Sequence, residues 1–510
     1  MGTPMTDRPF PPARYSLLVV GSGPGALQLT YSLRRLGVEH AVISQDSEPG
    51  GMFRRWPIFQ RMLSWTKPYA NHERGSTAYE RYDWNSLLGD DDASRAIMPR
   101  IMDGTSYFPS RPEMQRGLEA FATGTGLQIR YECRWESTRK DGDDFVLTTS
   151  DGEYRAPCVV FAVGIAEPWK PSVLDIEGVQ QYGQLRPAEQ YADKRVFIVG
   201  KQNSGFEIAS GLLPWARQIV LASPSSAKLS VDTRTLVGVR ARYVQPYEDW
   251  ALAGGVVILD ASIERVEPSG AGYAVHTKSP ADGRQLVFEV DDVIAATGFV
   301  SPLQDLPQVG VATFGQSRMP TQTPFWESAT VRGIYFAGTI MQGSQGMRKH
   351  GIPSNSGAVQ GYRYNARVLA RHLAEERFGH KPEQRRLRSE EVVPLLLSEA
   401  SRGPELWHQR SYLARVIGVD SDGGITDEGI QPLAHFVDGG GEHDGVAITL
   451  EANGKDDPYP AVYVRAGGRL VEHLMGSHPL LDFDGPEYQS ELSGVLSGVL
   501  GRAPATRSAQ

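Results

Sequence analysis

Cysteine is nearly absent from this 510-residue chain, which carries two thiols, Cys133 and Cys158, far apart in sequence. Two such residues exclude a disulfide scaffold and any zinc site with paired-cysteine spacing. They form neither the C-x-x-C nor the C-x4-C pair that dithiol redox chemistry uses. No metal site is expected. No apolar run approaches the length of a membrane span, and the polar, Pro-rich start MGTPMTDRPFPPAR does not read as a signal peptide. A basic stripe is missing too: 52 Lys and Arg face 60 Asp and Glu, for a net charge of -8. That balance argues against nucleic acid or a membrane surface as partner. No tandem repeat falls in the solenoid range. With 40% apolar residues the composition is that of a cytoplasmic globular protein, too long for one ordinary domain.

What is present is an alternation of short apolar runs, helical patterns and glycine turns from 15 to about 375, the signature of an α/β fold. YSLLVV (15–20), HAVIS (40–44), VVFAVG (159–164), RVFIVG (195–200), QIVLAS (218–223), DVIAATG (292–298) and GIYFAG (333–338) read as strands of parallel sheets covered on both faces. The strand–turn–helix unit near 15 recurs near 195. After the charged stretch ERFGHKPEQRRLRSE (376–390), strand-like GVAITLEA and AVYVRAGG alternate with acidic glycine-rich loops. The expected division is a flexible tail (1–14), a first dinucleotide-binding part (15–190), a second dinucleotide domain (191–295), a return segment (296–385) and a small C-terminal α+β module (390–500). The last ten residues read as disordered.

In the first unit, GSGPGA follows a strand and opens the helical run ALQLTYSLRRLG. Gly21, Gly23 and Ala26 fit G-x-G-x-x-G/A, with Pro24 and Gly25 between them. The first glycine makes the tight turn, the second admits a pyrophosphate, and the small third residue lets helix and strand pack closely. The anion then rests on the helix N-terminus. The ribose carboxylate of such sites lies about 20 residues on. Here that position is nearest Ser44, so Asp46 is the candidate for the ribose hydroxyls. EPGGMFRRW follows; Gly50 and Gly51 let the chain pass close to a flavin, with Met52 and Trp56 as further cofactor-binding candidates.

In the second unit, FIVGKQNSGFEIA resembles a nicotinamide-dinucleotide turn. Gly200, Ser204, Gly205 and Glu207 match the pattern V-G-x-G-x-S-G-x-E, with Asn203 a further cofactor-binding candidate, while Gln202 stands where its second glycine belongs and can donate to phosphate. The second strand ends in VLASPSSAK, without a ribose carboxylate. Ser223, Ser225 and Lys228 are the candidates for a 2′-phosphate, which a carboxylate would repel. The reading is FAD at the first turn and NADPH at the second, on two Rossmann-like domains.

These motifs, together with FPSRPEM (108–114), FAVGIAEPWKP (161–171) and AATGF (295–299), resemble the class B flavoprotein monooxygenases. That group includes flavin-containing, Baeyer–Villiger and N-hydroxylating amine monooxygenases, and the resemblance covers about residues 15–375. It implies that Thr297 and Gly298 lie on the segment joining the two domains, and that NADPH reduces FAD to form a C4a-hydroperoxyflavin that oxygenates a nucleophilic nitrogen or sulfur. The group's F-x-G-x-x-x-H-x-x-x-W/Y fingerprint survives only in part: QYGQLRPAEQY keeps Gly183 and Tyr191 but has Pro187 in place of His. This weakens a Baeyer–Villiger reading. By resemblance, Asn71, about 20 residues past the Gly-Gly, and Lys67 are placed at the reacting centre.

GIYFAGTIMQGSQGMRKHGIPSN should return to the flavin, with Gly338 in close approach. Arg348, Lys349 and His350 form a basic cluster suited to a substrate carboxylate. A small-molecule amine plus O2 is the expected substrate pair. An amino acid is favoured, as in bacterial enzymes that oxidise aspartate to nitrosuccinate. S-oxygenation, Baeyer–Villiger insertion and a flavin-binding sensor without productive oxygenation are the competing readings. An α-amine must lose its proton before it can attack, so a base is required, for which His72 and His350 are candidates. The C-terminal module covers the active site or builds a homodimer interface, and the sequence leaves both open.

Overall fold

The computed structural model describes residues 8–55, 61–175, 177–233, 238–381, 384–439 and 443–500. The short apolar runs become strands buried on both faces. Leu18–Val20, Ala41–Ile43, Val159–Phe161 and Ile334–Phe336 have three residues each, all buried. They form one parallel sheet in the order 334–336, 159–161, 18–20, 41–43. Val20 lies level with Ile43 and Phe161, so three strands end together at Gly21.

The second sheet repeats the plan. Val256–Asp260, Gln218–Ser223, Arg195–Val199, Asp292–Ala295 and Gln180–Gln181 are parallel and adjacent in that order. Val199 lies level with Ala222 and Ala295, and the chain leaves this edge at Gly200. In open α/β sheets of this kind ligands bind beyond the carboxyl ends of the strands. The fold is therefore α/β with two Rossmann-like units, each of which also carries a three-stranded antiparallel sheet, over 135–156 and 262–290 respectively.

Residues 8–14, expected within a tail, are docked. The Tyr154 hydroxyl donates to the Phe10 carbonyl at 2.8 Å, and Arg14 pairs with Asp144 at 2.7 Å. Residues 1–7 and the last ten lie outside the described residues. The return segment enters the helix Val359–Phe378, which packs on the helix Pro24–Arg35 and ends where Gly379 takes a left-handed conformation at φ +66°.

Beyond it, six antiparallel strands form a sheet in the order 385–387, 425–432, 413–419, 444–451, 459–466, 469–474. Helices Ser389–Arg402 and Pro486–Leu500 cover it, and a separate core forms around Leu396, Ile448, Val462 and Leu492. This module meets the first unit through a buried polar network in which Gln409 donates to Asn365 at 2.7 Å and Trp326 to the Tyr412 hydroxyl at 2.9 Å.

Candidate functional site

The first glycine turn is shaped by contacts that leave no room for side chains. Gly21 has φ +125°, and a Cβ there would lie 2.5 Å from the Ala162 carbonyl oxygen. Gly25 touches the return segment: its Cβ would lie 2.2 Å from Gly338 Cα. Ala26 beside it is buried in the core that also holds Val19. Gly23 is different. It caps the helix Pro24–Arg35 without a side-chain cap, and among the described residues nothing beyond its own chain neighbours and the helix backbone lies within 4 Å of a Cβ placed on it. That open position beside uncapped backbone amides is the cradle a pyrophosphate needs. Gly51 crosses over it, its Cβ position 3.3 Å from Gly23 Cα. Asp46 stands at the rim, accepting from Ser22 at 3.2 Å and from Arg55 at 2.9 Å. Ser44, at the expected ribose position, is buried and shares a 2.8 Å hydrogen bond with Ser22.

The second turn reproduces the first at its entry. Gly200 has φ +122°, and a Cβ would lie 2.2 Å from the Ala296 carbonyl oxygen. Gln202 is exposed and caps the helix Asn203–Leu212 through its backbone alone. Asn203 is engaged on both sides of its amide, donating to the Gly238 carbonyl and accepting from the Arg240 amide, each at 3.0 Å. It pins a loop over the helix N-terminus. Ser223 donates to the Ser225 carbonyl at 3.1 Å, and Lys228 is exposed on the same loop.

Both turns open onto one cavity of about 660 Å³. Gly21, Gly23, Pro24, Gly25, Asp46, Gly50, Gly51, Met52 and Gly338 line it from the first unit, and Asn203, Ser204, Glu207 and Arg240 from the second. Gly200, Gln202, Ser223, Ser225 and Lys228 lie outside its wall. So do Thr297 and Gly298, which tie the two crossovers together: the Thr297 hydroxyl donates to the Trp169 carbonyl, and the Trp169 amide to that of Gly298 at 2.9 Å. Trp56 lies outside the described residues.

The residues expected at the reacting centre do not line this cavity. Asn71 and Lys67 are exposed on a loop that does not line the cavity. The chain leaves the cavity after Ser64 and rejoins it at Trp84. The buried amide of this stretch is Asn85, whose Oδ1 accepts the Ser64 hydroxyl at 2.5 Å. Arg348, Lys349 and His350 are likewise outside: Arg348 donates to Gln345, Lys349 pairs with Glu472, and His350 meets the Tyr459 hydroxyl at 3.1 Å. The basic cluster fastens the C-terminal module instead of facing the cavity. Among the described residues none beyond Tyr362 lines the cavity.

At the seam between the units the wall is aromatic, with Trp84, Tyr182, Tyr243 and Phe299. Among them stands Glu207, 8% exposed, its Oε2 accepting the Tyr182 hydroxyl at 2.6 Å. Burial pushes this carboxyl up to about 7, against hydrogen bonds from Tyr182 and Tyr243 and the charge of Arg242, which favour ionisation. The sequence motif located Glu207 but not this environment, because Tyr182 and Tyr243 come from outside the turn. Arg240 adds a cation whose pKa burial lowers.

The two thiols offer no alternative chemistry. Cys158 and Cys133 belong to different core clusters and both are unpaired. Burial pushes Cys158 up to about 12 and also raises Cys133, so neither is a thiolate near neutrality.

Two dinucleotide turns on one cavity define a two-dinucleotide oxidoreductase. Residues 18–338 match the pyridine nucleotide-disulphide oxidoreductase family model, and the chain belongs to that family. FAD and NADP(H) are its cofactors, and the open Gly23 cradle fits the first of them. The chain is 26% identical over 435 residues to the FAD-dependent oxidoreductase domain-containing protein 2 of Mus musculus, covering 78% of this chain and 64% of that protein. It therefore spans less than two thirds of that relative's length. Among solved structures it is similar in fold to the bacillithiol disulfide reductase of Bacillus cereus (TM-score 0.55, 18% identity, 71% of this chain and 99% of that one). It is similar too to a flavin-containing monooxygenase of Stenotrophomonas maltophilia (TM-score 0.53, 19% identity, 71% and 98%). Among the described residues no helix is long and apolar enough to cross a membrane.

Proposed function

We propose that this chain is an NADPH-dependent flavin monooxygenase that N-hydroxylates the amine of a small substrate, an amino acid of the aspartate type being the first candidate. The carrying observation is the seam: an aromatic wall between the two dinucleotide turns with one buried carboxyl, Glu207, facing the shared cavity. Disulfide exchange, the alternative within this fold, needs a reactive thiol pair that the chain does not supply.

FAD, when bound, supplies the redox and oxygen chemistry. The protein's part is to hold and exclude. Gly23, Gly51 and the amides of helix Pro24–Arg35 would hold the FAD pyrophosphate, and Asn203 and Ser204 the NADPH turn. Trp84, Tyr182, Tyr243 and Phe299 keep water from the seam. Glu207 handles the substrate's proton. In its ionised form it takes a proton from the ammonium group, leaving a neutral amine with a free lone pair and a carboxylic acid still bonded to Tyr182. Arg240, which lines the cavity, would meet a substrate carboxylate; Arg348, Lys349 and His350 lie outside that wall, Lys349 paired with Glu472.

The test is NADPH consumption against peroxide release by the purified FAD-loaded protein, across amino acids led by aspartate. The expected result is one amine that raises consumption, lowers peroxide and yields an N-oxidised product. A peroxide yield unchanged by every amine, but lowered by a sulfide or a ketone, would overturn N-hydroxylation in favour of S-oxygenation or Baeyer–Villiger chemistry.

A further inference from the structure

The second glycine turn carries a residue for which the first has no equivalent, a fully buried lysine. Lys201 directly follows Gly200, its side chain has no exposed surface, and its ammonium pairs with the Asp260 carboxylate. A lysine ammonium is buried only against a strong opposite charge. Asp260 ends the strand Val256–Asp260 and lies in register with Ser223, the last residue of the neighbouring strand. The same carboxylate accepts the Ser226 hydroxyl. Hydrogen bonds from Lys201 and Ser226 hold Asp260 below the usual carboxylate range, as expected of an ionised pair.

The place matters. In Rossmann units the end of the second strand meets the adenosine ribose, and a carboxylate there favours a 2′-hydroxyl and repels a 2′-phosphate. The second strand of this unit ends in Ser223, but the adjacent strand puts a carboxylate alongside it. Lys201 cancels that charge from within the turn, and Asp260 in turn fixes Ser226 on the loop that bears Ser225 and Lys228.

We propose that Lys201 determines coenzyme selectivity: by neutralising Asp260 it lets the strand ends of the second unit accept the 2′-phosphate of NADPH. It acts through Asp260 and is a positioning residue. The inference rests on the reading of the second turn as the NADPH site.

The experiment is a double-mutant cycle on the FAD-loaded protein, with KM for NADPH and NADH measured for wild type, Lys201→Met, Asp260→Asn and the double variant. Lys201→Met should raise KM for NADPH roughly tenfold and change that for NADH much less, because it exposes one uncompensated negative charge to the phosphate. The double variant should return the NADPH-to-NADH ratio toward that of wild type. A merely structural lysine would raise both constants together, with no rescue, and that result would overturn the proposal. Asp260→Asn alone, which leaves the strand ends without a negative charge, should keep or raise the NADPH preference. A fall would overturn the proposal even if Lys201→Met does not fold. A wild type without NADPH preference would remove the reading of the second turn itself, whereas a wild-type preference retained by Lys201→Met would remove only the role of Lys201.

Discussion

The two glycine turns begin alike and end differently. Gly21 and Gly200 share an unusual φ, +125° and +122°, and each abuts a carbonyl oxygen of a crossover, that of Ala162 or Ala296. Two residues later they part. The first turn has Gly23, facing open space; the second has Gln202, with the buried Lys201 before it and Asn203 after it holding a loop. The entry glycine serves the backbone and the next position serves the ligand, so the first demand is shared and the second is not. An open glycine at the helix start suits close approach of a tightly held cofactor, and a loop pinned over the helix start suits one that exchanges.

This contrast can be broken by substitution. The largest effect is expected at Gly23. Gly23→Val fills open space, so the protein should fold but purify without its yellow flavin; a yellow, active variant would contradict the first turn as the FAD site. Gly200→Ala should act on the fold instead. The strained φ and the clash with Ala296 predict a loss of roughly 1–3 kcal/mol or more in a denaturation midpoint experiment, with FAD retained in the molecules that remain folded.

Glu207→Gln should lower the amine-coupled rate about 100-fold, the low end of what general-base catalysis supplies. In wild type that rate should rise with pH through about 7, where Glu207 ionises, and the variant should lose this limb. Stability moves the other way. The folded-state pKa lies above the ordinary glutamate value of 4.5, so the proton is bound more tightly in the folded protein. The stability this gives is full below about pH 4.5 and is lost as pH rises through about 7. The melting temperature of Glu207→Gln should therefore gain on wild type across that window; a constant difference would refute the burial argument. Lys228→Ala, on the exposed loop, should raise KM for NADPH a few-fold more than for NADH, and equal changes would remove it from the 2′-phosphate site. Asn71→Ala, outside the cavity, should leave coupling of NADPH oxidation to product unchanged; release of peroxide would return Asn71 to the reacting centre.

What could be read in the sequence was what is local. Each dinucleotide turn is specified within a dozen residues, because strand, glycine and helix start follow one another and their geometry depends on near neighbours. The two sheets follow from the same short apolar runs. The seam was not legible for the opposite reason. Glu207 meets Tyr182 from before the glycine turn and Tyr243 from well after it, and Lys201 meets Asp260 59 residues on. Spacing from the Gly-Gly points to Asn71, but the chain leaves the cavity between Ser64 and Trp84. The basic cluster at 348–350 meets Glu472 and Tyr459, which lie in a module whose chemistry the sequence does not announce.

If both turns serve one cavity, reducing equivalents pass from a coenzyme at the second to a flavin at the first. Anaerobic mixing of the FAD-loaded protein with NADPH tests this most directly, read as bleaching of the flavin's visible absorbance. Complete bleaching by NADPH, faster than by NADH at equal concentration, is expected. A flavin that stays yellow under NADPH would contradict transfer between the two turns.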